Sequence, residues 1–343
     1  MKKVFFFVLF FVSSSLVFSQ SLDETLAKIT GDASKSYVSP IISAFGSNLN
    51  TGWVHRSPQA KVFGIDIEFG VVGMATFFSD ESKTFSSRGF FRFDSSQAAN
   101  IAAGISPEIR NAVIDSIRNR DFMVEISGPT IVGSKNDSVK VISPGSVING
   151  QTLGRKTIVL PVTGYLEELP ALPLFAPQLT LGTVYGTQVA FRYLPSIKLN
   201  DDLGDFKYFG FGVQHNPGMW TPFELPVDVS VGYFTQSMEV GKTFKVSSSL
   251  FGLYASKKFS FLIFTIEPYA GFSFESSSVE VKYDVVFDLP TGDFNSTISY
   301  KLDGENKTRF TIGTNLKLPF LNLNVDYNFA KYNSVGFGVN FRI

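Results

Sequence analysis

Asp66 and Glu68 are the side chains best spaced for chemistry: they stand two residues apart on one face of an alternating run. Paired carboxylates can divide acid and base roles or hold a cation. The alternation offers a plainer reading, because any strand with one polar face aligns its acids this way, and a hydrated wall is expected here. Gly64 and Gly70 beside them keep that wall smooth, which suits a narrow channel or a docked segment. His55 and His215 are the chain's two histidines. A hydrolase would recruit His215 with Asn216 and a serine, but no Gly-x-Ser-x-Gly turn presents one. His215 follows Val213 along a strand and is expected at its boundary in a structural role. Cysteine is absent, which removes disulfides, thiolate metal ligands and a lipoprotein anchor. No catalytic residue, metal site or cofactor is assigned, and an enzyme is not expected.

The elements that position these residues show best near the C-terminus. Leu316, Leu318, Leu321, Leu323, Val325, Tyr327, Phe329, Val335, Phe337, Val339 and Phe341 line up as the apolar faces of short strands. Lys317, Asn322, Asn324, Asp326, Asn328, Gly336, Gly338, Asn340 and Arg342 alternate with them. In water such a greasy face needs a second sheet; in a bilayer it needs only a closed barrel with a polar lumen. Lys or Arg on the lipid side at mid-membrane costs about 2–4 kcal/mol, so the charged positions must face the lumen. Parity then makes Asp66, Glu68, Gln188, Arg192, Arg309, Asn315, Lys317, Asn324 and Asp326 the candidate lumen-facing residues.

The N-terminus bears on which solvent applies. Lys2 and Lys3 precede an apolar run, Val4–Val12, and then small residues, the pattern of a secretory signal with cleavage expected after Ser19. Without it, 28 basic and 30 acidic side chains remain, so no basic excess exists to neutralise nucleic-acid phosphates. The 37 phenylalanines and 12 tyrosines suit lipid faces and membrane interfaces.

Three regions follow. Residues 20–58 form an N-terminal hatch or plug. Leu22, Leu26 and Ile29 carry helical spacing, and Ser39-Pro40 opens a second short helix that ends near Gly46. Its candidate contact residues are Tyr37, Ile41, Ile42, Phe45 and Asn48. Residues 59–343 form the barrel. A strand at 61–77 places Phe63, Ile65, Ile67, Phe69 and Val71 on one face, and 84–93 returns as its hairpin partner. From 179 onward come strands at 179–193, 206–215, 227–236, 244–255, 260–274, 279–289, 294–302, 308–318, 321–330 and 335–343. Residues 95–177 are an irregular insertion with one helix, opened by Ser106-Pro107-Glu108 and striped by Ile109, Val113, Ile114 and Ile117. Prolines 161, 170, 173 and 177 argue for loop there. Twelve strands result, or fourteen if 121–132 and 155–163 join as a pair; an even count is required. Turns at 255–258, 290–293 and 319–320 are expected on the periplasmic side, and those at 275–278, 303–307 and 331–334 outside.

The fold class is therefore all-β: a transmembrane antiparallel β-barrel of 12–14 strands with a helical N-terminal plug and a central helical, Pro-rich insertion. As a whole it resembles Gram-negative outer-membrane barrels of the long-chain fatty-acid transporter family. That resemblance implies a signal peptide, a lumenal hatch at Tyr37–Trp53 and fourteen strands; the family's Asn-Pro-Ala hatch signature is absent. More locally, Gly210-Phe211-Gly212-Val213-Gln214-His215-Asn216 with Leu225-Pro226-Val227-Asp228-Val229-Ser230 resembles an uncharacterised family of exported barrels. Two functions are expected to compete: passive passage of small hydrophobic molecules, or a structural or interaction barrel with a sealed lumen. The expected partners are the lipid bilayer, the outer-membrane assembly machinery and a hydrophobic small molecule, in the outer membrane of a Gram-negative bacterium. Nucleic acid is not among them.

Overall fold

The computed structural model describes residues 32–342, except 168, 201–203, 223–224, 242–243 and 290–291. The expected signal peptide and the helical spacing of Leu22, Leu26 and Ile29 lie outside the described residues.

Helix α1 spans Asp32–Leu49 without a break, so Pro40 lies inside it and opens no second helix. Burial of Tyr37, Ile42, Ala44 and Leu49 along its length offsets the one hydrogen bond that Pro40 cannot make. Strand β1 is Phe63–Phe77, fifteen residues against the 9–11 or so that a tilted membrane crossing requires. After it come β2 (Thr84–Phe91), α2 (Ser95–Ile101), α3 (Pro107–Arg118), β3 (Phe122–Pro129), β4 (Lys140–Ser143), β5 (Ser146–Ile148), β6 (Gln151–Leu153) and β7 (Lys156–Val159). The remainder is β8 (Ala171–Val184), β9 (Thr187–Asn200), β10 (Gly204–His215), β11 (Asp228–Val240), β12 (Phe244–Ser256), β13 (Phe259–Ser260), β14 (Thr265–Leu289), β15 (Gly292–Asp303), β16 (Thr308–Lys317), β17 (Leu321–Phe329) and β18 (Ser334–Arg342).

Among the described residues ten strands close an antiparallel barrel in the order β1-β8-β9-β10-β11-β12-β14-β16-β17-β18, and β18 pairs back onto β1. The expected count of 12–14 is corrected by four findings. Residues 171–200 make two strands, joined at Tyr185-Gly186, where both residues take positive φ. Residues 260–274 and 279–289 belong largely to one strand, β14, because Ser276, Ser277 and Ser278 continue the in–out alternation and form no turn. Residues 294–302 fall in β15, which pairs only with the far half of β14 beyond the barrel wall. The paired Leu289 and Gly292 therefore lie at the end opposite the 318–320 turn. Residues 84–93 do not pair with β1, whose two edges are already taken by β8 and β18.

The prolines at 173 and 177 also sit in a strand. β8 pairs with β1 from Ala171 onward but with β9 only from Gln178 onward, so residues 171–177 border an unpaired edge. An edge tolerates the missing proline N–H.

The chain divides into two compact units. One holds the barrel with residues 42–77. The other holds residues 78–170 together with the early turns of α1 up to Ile41. In this second unit β2, β3, β4 and β7 form a four-stranded sheet. The expected strands at 121–132 and 155–163 thus share a sheet, with β4 between them. Among its described residues the insertion carries two helices where one was expected. α2 opens with a capping box: the Asp94 carboxylate accepts from the Gln97 N–H at 2.9 Å, and the Gln97 side chain accepts from the Asp94 N–H at 3.0 Å. α3 starts at Pro107, and Ser106 bonds the Glu108 carboxylate and leaves the helix amides uncapped. Val113 and Ile117 are its buried stripe, while Ile109 is exposed.

Side-chain direction in the barrel is inverted relative to a water-soluble fold. Phe69 and Phe337, 58% and 52% exposed, face outward with Phe63, Phe209, Phe251 and Phe341. Polar residues fill the interior.

Candidate functional site

The interior of the barrel is occupied by the chain's own residues 42–58, nearly all of which are buried. The segment enters at the level of Thr76 and Leu172: Asn48 accepts from Thr76 Oγ1 and donates to the Leu172 carbonyl, both at 2.7 Å. It leaves at the opposite end, where Ser57 Oγ lies 2.9 Å from Ser230 Oγ and its N–H donates to Ser256 Oγ. Asn216 then donates to the Pro58 carbonyl at 2.7 Å. Gly46 lies close against the wall, where an added Cβ would fall 1.9 Å from Ser277 Oγ.

The C-terminus of α1 is the centre of this arrangement. A helix ends with unpaired carbonyls and a partial negative charge. α1 has no basic residue in its own last turn, and the barrel supplies two. Arg309 of β16 donates to the Ser47 carbonyl at 3.0 Å and to Thr51 Oγ1 at 2.9 Å. Arg192 of β9 donates to the Leu49 carbonyl at 3.3 Å and to the Thr51 carbonyl at 2.9 Å. Arg192 also binds Gln178 and lies over the Trp53 ring at 4.0 Å. Trp53 Nε1 and Gln236 Nε2 donate to the Leu49 carbonyl as well. Arg309 is paired in turn with buried Glu275 at 2.9 Å, and Glu275 accepts from Asn50. The void left beside Trp53, Tyr254 and Arg309 is about 10 Å³, the space of one water at most.

Nearer the C-terminal end, Asp66 and Glu68 point inward and meet cations. Glu68 lies 3.0 Å from His55 Nε2 and 2.6 Å from Arg56. Asp66 contacts Arg56 at 3.0 Å, Lys317 at 3.3 Å and Arg342. Both acids are engaged as ion-pair partners, so the acid–base or cation-binding pairing considered from their spacing has no free carboxylate pair to use.

The other candidate positions lie as follows. Gln188 is buried opposite Gly182. Asn315 is buried on β16. Asn324 accepts from Asn340 at 3.2 Å, and Asp326 accepts from the Tyr269 hydroxyl at 3.2 Å. Ile42 is buried, and Phe45 packs edge-on against Phe244. Tyr37 and Ile41 group with residues 78–170 and not with the barrel. Tyr37 donates to the Thr163 carbonyl at 2.8 Å, and burial, with Tyr165 nearby, pushes its hydroxyl pKa up to about 12. His215 closes β10, where its Nε2 accepts from Trp220 and its Nδ1 faces Thr187. The tautomer that satisfies both carries its proton on Nδ1.

Sequence reasoning missed Trp53, His55 and Arg56, along with Gln178, Gln236 and Glu275. The first three lie in an aperiodic stretch, where no face can be assigned. The local density of aromatic and basic side chains just ahead of β1 was the available signal.

A family model described as "Family of unknown function (DUF6588)" matches residues 1–343. No curated protein matches the sequence. Among solved structures, the Neisserial surface protein A is 17% identical, covering 46% of this chain and 94% of its own, at a TM-score of 0.23. The outer membrane protease OmpT from Escherichia coli is 10% identical over 83% of this chain and 98% of its own, at 0.27. The transport unit of the autotransporter AIDA-I from Escherichia coli is 7% identical over 90% and 98%, also at 0.27. Likeness at this level assigns neither activity nor substrate.

Proposed function

The chain belongs to the DUF6588 family, and from its geometry we propose that it is a non-enzymatic outer-membrane barrel whose lumen is sealed by its own N-terminal segment. The grip of Arg192 and Arg309 on the end of α1 carries this reading, because it satisfies the helix carbonyls from two strands, and the void beside Trp53 and Arg309 is about 10 Å³. The outward phenylalanines support a lipid surround, since water-soluble monomers rarely expose large apolar surfaces. With the C-terminus inward, as in other barrels of this kind, the turn at 318–320 is periplasmic. A structural or interaction role follows more readily than solute flow. One observation favours a second reading, passage of small hydrophobic molecules as in the long-chain fatty-acid transporters: pairing between β8 and β9 stops at Gln178 and Arg192, leaving a seam in the wall.

The test is conductance of the full-length protein in planar bilayers. The sealed reading expects no steady conductance from the native protein, and pore-sized steps once Arg192→Ala and Arg309→Ala are combined. Steady ohmic steps from the native protein would overturn it. Uptake of an apolar dye into proteoliposomes without ion flow would favour the seam.

A further inference from the structure

We propose that the mouth at the β18 end of the barrel is a binding site for a phosphate group. A cavity of about 230 Å³ opens there. Five cations line it: Arg56, Lys61, Lys258, Lys317 and Arg342. Its acids are Asp66 and Glu267. Asp66 is already shared among three of the cations, and buried Glu267 accepts from Ser256. Glu68 pairs with Arg56 from behind, and Asp228 lies within charge range of Lys258, so five cations meet four acids and positive charge is in excess by one.

Two further observations point to a ligand. Arg56 is almost wholly buried, yet its Nη1 has no hydrogen-bond partner, although its Nη2 serves both Asp66 and Glu68. A buried donor left unpaired costs about 1–3 kcal/mol, or more for a charged group, so an anion that reaches it gains accordingly. Lys61 and Lys258 stand exposed at the rim and make no ion pair among the described residues. A rim of exposed lysines, of which Lys258 lies within charge range of Asp228, over a fixed guanidinium suits a tetrahedral oxyanion: the lysines supply point charge, and the arginine supplies directed N–H groups. The volume admits a phosphate with one small substituent. Its source is either a soluble phosphate compound or the headgroup of an anionic lipid at the bilayer edge.

The site is independent of whether the lumen conducts, so its test reads binding alone. The full-length protein in maltoside detergent is titrated calorimetrically with inorganic phosphate at low salt. In parallel it is placed in nanodiscs of phosphatidylcholine with or without phosphatidylglycerol, and retained lipid is counted by native mass spectrometry. The expected result is saturable phosphate binding, or selective retention of phosphatidylglycerol, weakened at least tenfold in the double variant Lys61→Gln/Lys258→Gln. Phosphate binding alone identifies a soluble source, and lipid retention a headgroup. Lys35→Gln/Lys83→Gln, which removes equal charge elsewhere, should bind as the native protein does. Equal loss in that control, no loss in the rim variant, or no saturable binding of either probe would overturn the site.

Discussion

A buried guanidinium keeps its place only while its N–H groups find acceptors, and Arg309 finds them on both the plug and the wall. Replacing it with alanine leaves Glu275 without its ion-pair partner in a closed interior and strips the end of α1 of a partner. Breaking a buried pair from one side costs about 3–5 kcal/mol. Arg309→Ala should therefore lower the denaturant midpoint for loss of the compact band on unboiled gels, and Arg309→Ala/Glu275→Ala should recover part of that loss. A double variant no better than the single would show that the pair is not the source. At this scale the sequence was partly legible. Parity alone puts Asp66 and Glu68 on one face of β1. Their partners His55 and Arg56 come from a segment with no period, and only the folded chain brings them together.

Elements here take their ends from chemistry that local sequence announces unevenly. The Asp94 carboxylate caps α2, and its bond from the Gln97 N–H holds its pKa below the ordinary carboxylate value. A lowered folded-state pKa gives stability that is present above the unfolded value near 3.8 and lost as pH falls through the lowered one. Removing such a cap costs about 0.5–2 kcal/mol. Asp94→Ala should speed proteolysis around residues 94–105 by about 2- to 30-fold at pH 7, and the gap from the native protein should close in acid. A gap unchanged with pH would assign the effect to something other than the carboxylate. α2 went unread because its seven residues carry too few apolar positions to show a period. α3, with Pro107 at its start and a longer stripe, was legible. In β14 the serines read as a turn, although small polar side chains alternate in and out as readily as any others.

For the whole molecule, the outward phenylalanines and inward amides define the solvent each face requires. Phe337 sits mid-strand on β18, opposite Gly73 and Val325. Arginine there should cost about 2–4 kcal/mol in a bilayer, read as a lower folded fraction in lipid vesicles across a urea series. Asn324→Ser, a small polar exchange on the inward face of the next strand, should shift it far less. Equal effects at the two positions would contradict the assignment of faces. Barrel architecture was visible in the alternation, whereas strand number was not. Closure depends on which edges meet, and an extended hairpin such as β14–β15 has the same periodicity as a pair of wall strands.

The segment that fills the lumen precedes every strand of the wall, enters at one end and joins β1 at the other. A ring of ten strands closed by hydrogen bonds is thus threaded by its own leading chain, like a bead strung on the cord it is made from. Such a thread cannot be slipped in after the ring has shut unless the whole preceding chain is drawn through the hole. Assembly is thereby left with two routes: the leading chain is drawn through a shut ring, or the last seam zips around residues already in position and the plug serves as a mandrel on which the wall is wound.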